Sequence, residues 1–259
     1  MSDLLAGTTG LVVGVANKRS IAWAIARTLD AAGARQVLTF QGERTEGEVR
    51  KLAETLDNCV GVLPLDVQDD AQTSASMAEA GALLDGRIDT LVHAVAYASP
   101  DDLGGRFVDT SREGFHLALD VSAFSLAQLA REAEPFMREH GGSIMALTYI
   151  AAERAVPGYN VMGVAKAALE CIVRYLAWDL GESAIRVNAI SAGPVRTLAA
   201  RGIPGFGTMA DTINSRTPLR RAIDQDEVAD TALYLASPLS KAVTGETIFV
   251  DAGFHAMGL

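Results

Sequence analysis

Seven short apolar runs, separated by segments with helical periodicity, constrain the fold of this chain more than any other feature. The apolar runs lie at residues 10–15, 36–40, 60–66, 88–97, 142–149, 185–191 and 246–253. Helices are predicted at about 20–32, 43–56, 69–84, 111–138, 159–180 and 226–236. Apolar runs without polar alternation are typical of strands buried on both faces. The pattern predicts one α/β domain over residues 1–259, a doubly wound Rossmann domain with a seven-stranded parallel sheet.

Composition and charge exclude several classes of protein. The chain has 259 residues and a net charge of −10, and no basic stripe stands out that could neutralise nucleic-acid phosphates. Its apolar runs are shorter than a membrane span, and the first ten residues lack the pattern of a secretory signal. The two cysteines, Cys59 and Cys171, do not make a disulfide framework, and no ligand cluster near them suggests a metal. We expect a cytoplasmic protein without a membrane segment, a nucleic-acid partner or a metal.

The turn after the first strand has the properties of a phosphate-binding turn. In GVANKRSIAWAIA, Gly14 permits a tight turn and a close approach of backbone to ligand. Ser20 can cap the next helix and offer its hydroxyl to a phosphate, and the helix N-terminus favours an anion. The segment departs from G-x-G-x-x-G, so an ordinary strand–turn–helix with a serine cap explains it about equally well.

The residues after the second and third strands fit an adenosine. Gln41 follows the second strand, where an acid commonly binds the ribose or a basic residue binds a 2′-phosphate. Glutamine is neither, and Arg44 nearby keeps NADPH open beside NADH. After the third strand, Asp66 can accept from the adenine amine while the backbone of Val67 positions the ring. The alternative for Asp66 is a simple cap of the next helix.

A tyrosine and a lysine follow the fifth strand. Tyr159 and Lys166 are seven residues apart at the start of a predicted helix, so both face the same way. A lysine near a phenol is expected to lower the pKa of the tyrosine, and it can also bind the ribose of a nicotinamide. By itself the spacing also fits a half-buried tyrosine and a solvated lysine.

These features resemble the short-chain dehydrogenase/reductase superfamily. Beside Tyr159-x6-Lys166, the resemblance rests on IRVNAISAGPVRT (185–197) and VTGETIFVDAGF (243–254). Within that superfamily the chain resembles the enoyl-(acyl-carrier-protein) reductases of bacterial fatty acid synthesis, over about residues 5–258. The motifs that carry this second resemblance are Gly14-x5-Ser20-Ile21-Ala22, Tyr149 ten residues before Tyr159, YNVMGVAKA (159–167) and ISAGPVRTLAA (190–200).

The resemblance implies reduction of the 2,3 double bond of 2-enoyl thioesters. NADH is favoured over NADPH only because no clear cation for a 2′-phosphate follows the second strand. Ketone-reducing members of the superfamily usually carry a serine thirteen residues before the tyrosine, and here that position is Ala146. Hydride delivered to Cβ of an enoyl thioester leaves negative charge on the thioester oxygen, and Tyr159 is the expected donor to it. Lys166 would hold the cofactor ribose. Tyr149 would share the role of Tyr159 or serve as a pocket wall.

Further site residues are implied by the same resemblance. The remaining cofactor positions are Ile21, Val95, Val195, Arg196, Thr197, Leu198 and Ala199. The substrate positions are Ala98, Tyr149, Tyr159, Met162, Ile203, Phe206 and Met209. The last three lie in the segment at about 194–217, which we expect to be irregular and to cover the substrate as a flap.

The resemblance also implies partners. The substrate would arrive on acyl carrier protein, an acidic partner. In a chain with a net charge of −10, the neutral core PGFGTM of the segment 194–217 is flanked by Arg196, Arg201, Arg216, Arg220 and Arg221. A homotetramer built on the helices at 111–138 and 159–180 is expected. Two other functions remain open: a ketoreductase of the same superfamily, which Ala146 disfavours, and a non-catalytic dinucleotide-binding regulator, which Tyr159 and Lys166 disfavour.

Overall fold

A parallel sheet of seven strands is the centre of the fold. In the computed structural model, residues 3–197 and 206–258 are described. The strands are β1 (Thr9–Val13), β2 (Arg35–Phe40), β3 (Cys59–Pro64), β4 (Thr90–His93), β5 (Gly142–Thr148), β6 (Ile185–Ala192) and β7 (Thr247–Val250). Their order in the sheet is β3-β2-β1-β4-β5-β6-β7, and every pair is parallel. The predicted doubly wound α/β fold is confirmed.

Helices cover both faces of the sheet. They are α1 (Ile21–Ala31), α2 (Glu43–Ala53), α3 (Asp70–Leu83), α4 (Pro100–Leu103), α5 (Arg112–Leu119), α6 (Ser125–Met137), α7 (Asn160–Leu180), α8 (Phe206–Arg216) and α9 (Gln225–Ala236). The predicted helix at 111–138 consists of α5 and α6 joined by one π-helical segment, Asp120–Phe124. The prediction of an irregular segment through residue 217 was wrong in its second half, because α8 occupies 206–216.

Burial of the strands follows their position in the sheet. β1 and β4 are buried throughout, and one hydrophobic cluster lies on each side of the central strands. The prediction of strands buried on both faces was wrong for β3 and β7, whose residues are mostly half-exposed. Both are edge strands, so a neighbouring strand covers them on one side only.

The order in which strands are added to the sheet reverses at β1: β2 and β3 lie on one side of it, and β4 to β7 lie on the other. β1 pairs with β2 on one side and with β4 on the other, with Val13 beside His93. At this switch point the loops after the two strands diverge and leave a crevice at the carboxyl edge. Gly14 ends β1 with a φ of +99°, in the left-handed region, and a side chain there would collide with the Ala94 carbonyl group, whose carbon lies 2.8 Å from the ideal Cβ position.

Within residues 3–197 and 206–258, the helices are too short or too polar to span a membrane. Among the same residues, no group of three or more His, Cys, Asp or Glu side chains is arranged to hold a metal ion.

We predict that Gly14→Ala destabilises the fold by about 2 kcal/mol or more, because the new methyl group adds left-handed strain and a steric clash. Thermal and urea unfolding measure this. Gly47→Ala is the matched control, because Gly47 lies inside α2 with open space around its Cβ position. That change should stabilise the protein by up to about 1 kcal/mol. Equal stability of the two variants would contradict the role assigned to Gly14.

Candidate active site

A cleft of about 370 Å³ opens at the carboxyl ends of β1, β4 and β5. Ten of the predicted site residues line it: Gly14, Ser20, Ile21, Gln41, Asp66, Val67, Val95, Tyr159, Lys166 and Thr197. They come from segments up to 183 residues apart in sequence, and the parallel sheet gathers them because its strand ends share one edge. The cleft therefore brings together both the adenosine-side and the nicotinamide-side predictions.

The turn after β1, predicted to bind phosphate, forms one end of the cleft. Gly14, Ser20 and Ile21 line it, and α1 begins at Ile21. The prediction that the Ser20 side chain caps α1 was wrong. Ser20 occupies the cap position, but its hydroxyl donates to the Asn17 carbonyl at 2.7 Å and accepts no helix N–H. That hydroxyl can reach a phosphate by giving up one bond, and the N–H groups of the first turn of α1 stay available.

The part of the cleft predicted to bind adenosine carries a carboxylate. Gln41 Nε2 lies 3.5 Å from Asp66 Oδ2, so the two predicted adenosine residues are neighbours. Asp66 Oδ1 accepts from the Gln68 backbone N–H at 3.1 Å, within its own turn. The alternative that Asp66 caps the next helix is wrong, because Asp69 caps α3 by accepting from Gln72 N–H at 2.9 Å.

Two phenols meet where β5 ends and α7 begins. The rings of Tyr149 and Tyr159 have centroids 5.0 Å apart and an interplanar angle of 59°. Tyr149 follows β5 directly, and Tyr159 is the residue before α7. Tyr149 is 9% exposed, and its hydroxyl is buried without a hydrogen-bond partner among the described residues. Tyr149 is not among the residues that line the cleft, and its buried hydroxyl keeps unused hydrogen-bonding capacity behind Tyr159.

The expected lowering of the tyrosine pKa is wrong for this site. Burial raises the pKa of Tyr159, and the neighbouring Tyr149 raises it further. Burial also raises the pKa of Tyr149 to about 12. Desolvation, which disfavours the charged phenolate, is the largest cause of both shifts. Both phenols are thus neutral at physiological pH, and each is a hydrogen-bond donor.

Lys166 is a buried cation. It lies two turns along α7 from Tyr159, and both line the cleft, as the spacing predicted. Its Nζ donates to the Leu147 carbonyl at 2.7 Å, and 5% of the residue is exposed. Burial lowers its pKa from 10.5 to about 8, and the negative charge of Glu170 opposes that shift. The ammonium keeps donors that can reach into the cleft.

The predicted substrate residues lie around Tyr159. Ala98 and Met162 are buried in one cluster against Tyr159, and Tyr149 is buried in another cluster that Tyr159 also contacts. Phe206 and Met209 belong to α8, whose backbone alone is described at those positions. Leu198, Ala199 and Ile203 lie outside the described residues.

The remaining cofactor positions follow β6. Val195 packs against the hydrophobic core, and Arg196 is exposed. Among the arginines that flank PGFGTM, Arg221 is paired with Glu227 at 2.6 and 2.9 Å. The positive charge of Arg221 is therefore largely compensated. Arg216, in the last turn of α8, is exposed.

Several polar residues at the site were not predicted. Ser122, in the π-helical segment, accepts from Tyr97 N–H at 2.9 Å and donates to Tyr97 O at 3.0 Å, which holds the loop after β4. His93 is fully buried, with Nε2 2.8 Å from Ser125 Oγ, and burial together with the Lys166 charge lowers its pKa to about 3. The sequence pattern gives no signal for these residues, because their hydrogen-bond partners are distant in sequence.

One missed residue had a usable signal. Glu170 follows Lys166 by four residues on a predicted helix, the spacing of side chains one turn apart. In the structure it is 8% exposed and accepts from Thr148 Oγ1 at 2.7 Å. Thr148 itself lines the cleft.

Comparison with known proteins agrees with this geometry. A family model described as Enoyl-(Acyl carrier protein) reductase matches residues 14–255. The enoyl-(acyl-carrier-protein) reductase (NADH) FabI of Bacillus cereus is 53% identical, and the match covers 99% of this chain and 100% of the relative. The enoyl-(acyl-carrier-protein) reductase (NADPH) FabI of Staphylococcus aureus is 52% identical, with 98% of each chain covered.

Solved structures show the same likeness. The crystal structure of the Bacillus cereus enoyl-acyl carrier protein reductase with NADP⁺ and indole naphthyridinone matches with a TM-score of 0.96 and 53% identity, over 99% of this chain and 100% of that one. A reductase from Anaplasma phagocytophilum in complex with NAD matches with a TM-score of 0.93 and 43% identity, over 100% and 96% of the two chains. With its sheet order and its paired tyrosines beside a buried lysine, the chain belongs to the enoyl-(acyl carrier protein) reductase family of the short-chain dehydrogenase/reductase superfamily.

Proposed function

We propose that this protein reduces the 2,3 double bond of 2-enoyl thioesters on acyl carrier protein during fatty acid elongation, with NADH as the preferred reductant. The observation that carries the proposal is the arrangement of Tyr149, Tyr159 and Lys166. Two neutral phenols have ring centroids 5.0 Å apart, and one of them, Tyr159, lines the cleft together with the buried ammonium of Lys166. We infer that the whole chain acts as one catalytic domain, with the segment at about 194–217 over the substrate.

The cleft fits a dinucleotide. Gly14, Ser20 and Ile21 line it at the N-terminus of α1, where backbone N–H groups without helical partners favour the negative charge of a pyrophosphate. We assign Asp66 and Val67 to the adenine, Gln41 to its ribose, and Val95 and Lys166 to the nicotinamide half. Ser20, Ile21 and the segment Val195–Ala199 complete the assigned cofactor contacts. When bound, the reduced nicotinamide supplies a hydride.

Tyr159 stabilises the charge that develops on the substrate. Hydride arrival at Cβ moves negative charge to the thioester oxygen, which then needs a donor. Because burial keeps Tyr159 in its neutral form, its hydroxyl donates a hydrogen bond to this oxygen. Tyr149, whose buried hydroxyl has no partner among the described residues, provides a second donor at the same place. The α-carbon then takes a proton from solvent or through a relay.

The substrate wall favours an enoyl group over a ketone. Ala146 is fully buried in β5, so no hydroxyl at this position can polarise a ketone carbonyl. Ala98 and Met162 pack against Tyr159 and give the reacting end of the substrate an apolar surface. We assign Ile203, Phe206 and Met209 to the remainder of the acyl chain.

The charge at the adenosine end favours NADH. Asp66 lines the cleft 3.5 Å from Gln41, and its carboxylate would repel a 2′-phosphate. Overall sequence identity does not decide between NADH and NADPH, since the relatives named for NADH and for NADPH are 53% and 52% identical to this chain.

Exposed aromatic side chains support a homotetramer. Trp178 and Tyr175, near the end of α7, are 85% and 70% exposed, and Phe124, between α5 and α6, is 50% exposed. A groove of about 490 Å³ runs beside the first turns of α7. Large apolar surfaces of this kind commonly mark contacts between proteins. They lie on the two helices expected to pair between subunits.

The acyl carrier partner and the location follow from charge and thiol chemistry. Arg216 places an exposed cation at the end of α8, next to the segment assigned to the acyl chain. This fits an acidic carrier protein. Cys59 and Cys171 are both free thiols, which supports a reducing, cytoplasmic location.

The reaction is tested by absorbance of the reduced nicotinamide with purified protein and a 2-enoyl thioester, with NADH and NADPH in parallel. We expect oxidation of both cofactors to be measurable only with the enoyl substrate, and NADH to react faster. A 3-oxoacyl thioester is the control. Reduction of the 3-oxoacyl thioester alone would overturn the proposal in favour of a ketoreductase, and cofactor binding without turnover would favour a regulator.

We predict that Tyr159→Phe lowers kcat about 10²- to 10³-fold, since it removes one donor to the developing oxyanion. The dissociation constant for NADH, measured by its fluorescence, should stay nearly unchanged. Tyr149→Phe should cause a smaller loss. Tyr234→Phe, which removes a hydroxyl from the surface of α9, is the control and should be as active as the wild type. Full activity of Tyr159→Phe would remove this residue from the mechanism.

Light scattering after size exclusion should give four times the 27.2 kDa mass of one chain. Trp178→Glu should weaken assembly, because it buries a charge in the proposed interface. Leu239→Glu, at a site that is 69% exposed outside the two helices, should leave it unchanged. A wild-type monomer at micromolar concentration would contradict the tetramer.

A further inference from the structure

Two hydrogen bonds fasten the end of β5 to successive turns of α7. Leu147 and Thr148 are adjacent on the strand. The Leu147 carbonyl accepts from Lys166 Nζ at 2.7 Å, and Thr148 Oγ1 donates to Glu170 Oε1 at 2.7 Å. Lys166 and Glu170 are four residues apart, so they lie one above the other on the same face of the helix. The two bonds together fix the position of α7 along the direction of β5.

A carboxylate at position 170 is energetically unfavourable because it is buried. It is 8% exposed, and Lys166 and Thr148 are each 5% exposed. A buried carboxylate loses its hydration, and burial accordingly raises the pKa of Glu170. Packing between a strand and a helix needs no charge at this position, since an apolar side chain of similar size would fill the same space. Packing alone therefore does not explain why a charged residue occupies this position.

The charges around Lys166 identify that role. Burial lowers the pKa of Lys166 to about 8, and Glu170 is the neighbouring group that raises it. His93, also close to Lys166, is neutral because its own pKa is lowered to about 3. Glu170 in turn faces Thr148, Arg174 and Lys166, which favour its carboxylate form, and Glu153, which disfavours it.

We propose that Glu170 is a positioning residue for the reaction: anchored by Thr148, its carboxylate keeps Lys166 an ammonium and holds it at the height of the cofactor ribose. The proposal rests on the proposed function, because it takes the ribose contact of Lys166 from there. Glu170 is not among the residues that line the cleft. Its effect reaches the reaction through Lys166 and through the position of α7.

The direct test measures the ionisation of Lys166 in the protein without cofactor. The chain has four lysines, and the other three, Lys18, Lys51 and Lys241, are exposed. NMR of side-chain-labelled lysine therefore gives one shifted resonance against three internal references, and Lys166→Met assigns it. Glu170→Gln should lower the pKa of Lys166 by about half a unit or more. Glu182→Gln, which removes one negative charge from the exposed turn after α7, should leave it unchanged.

A second readout follows cofactor affinity with pH. Wild-type affinity for NADH, measured by fluorescence, should fall as the pH rises through about 8, where Lys166 loses its proton. In Glu170→Gln this fall should begin at lower pH. Thr148→Val should move it in the same direction, and Thr148→Ser, which restores the hydroxyl, should reverse the change. The Thr148 pair also keeps the test decisive if Glu170→Gln does not fold.

The outcomes separate this proposal from the proposed function. An unchanged Lys166 pKa in Glu170→Gln, or equal shifts in Glu170→Gln and Glu182→Gln, would overturn the role of Glu170. Failure to reduce any 2-enoyl thioester would overturn the proposed function, and the NMR titration would still decide whether Glu170 controls Lys166.

Discussion

The parallel pairing of β1 with β4 is the constraint on which the rest of the site depends. It brings Val13 beside His93, so the loops that follow the two strands must diverge within one residue. Gly14 makes that divergence sterically allowed, because its left-handed φ turns the chain away where a side chain would strike Ala94. The crevice that results is the cleft, and β5, which pairs with β4, brings Leu147 and Thr148 to its lining.

Burial determines what the side chains around this cleft can do. A phenol exposed to water beside a lysine would lose its proton more readily, and it would become an acceptor. In the cleft, desolvation raises the pKa of Tyr159 and lowers that of Lys166. The phenol therefore stays neutral, and as the pH rises Lys166 loses its proton before Tyr159 does. A neutral donor is the form that stabilises a developing oxyanion, so the desolvation suits the chemistry proposed for Tyr159.

The sequence predicted the parts of the structure that depend on local pattern. Alternating apolar runs and helical segments predicted the sheet and its parallel strands, and the strand ends then placed Gly14, Asp66 and Lys166 at one edge, where the structure has them. The pairings between distant segments carried no such signal. Thr148 with Glu170 and Ser122 with Tyr97 are set by how helices pack on the sheet. The pKa of Tyr159 was predicted in the wrong direction because spacing reports neighbours but not desolvation.

Burying Lys166 has a cost for the fold that its neighbours only partly offset. The difference between a pKa of 10.5 and one of about 8 corresponds to about 3 kcal/mol against the folded state while the lysine is protonated in both states. That cost is fully present below about pH 8, and it disappears as the pH rises towards 10.5, since the unfolded chain then binds the extra proton. Without the Leu147 carbonyl and the Glu170 charge the cost would be larger. Lys166 is charged in spite of this cost, and its charge faces a cleft rather than solvent. This arrangement is expected where the binding of a ligand depends on the charge.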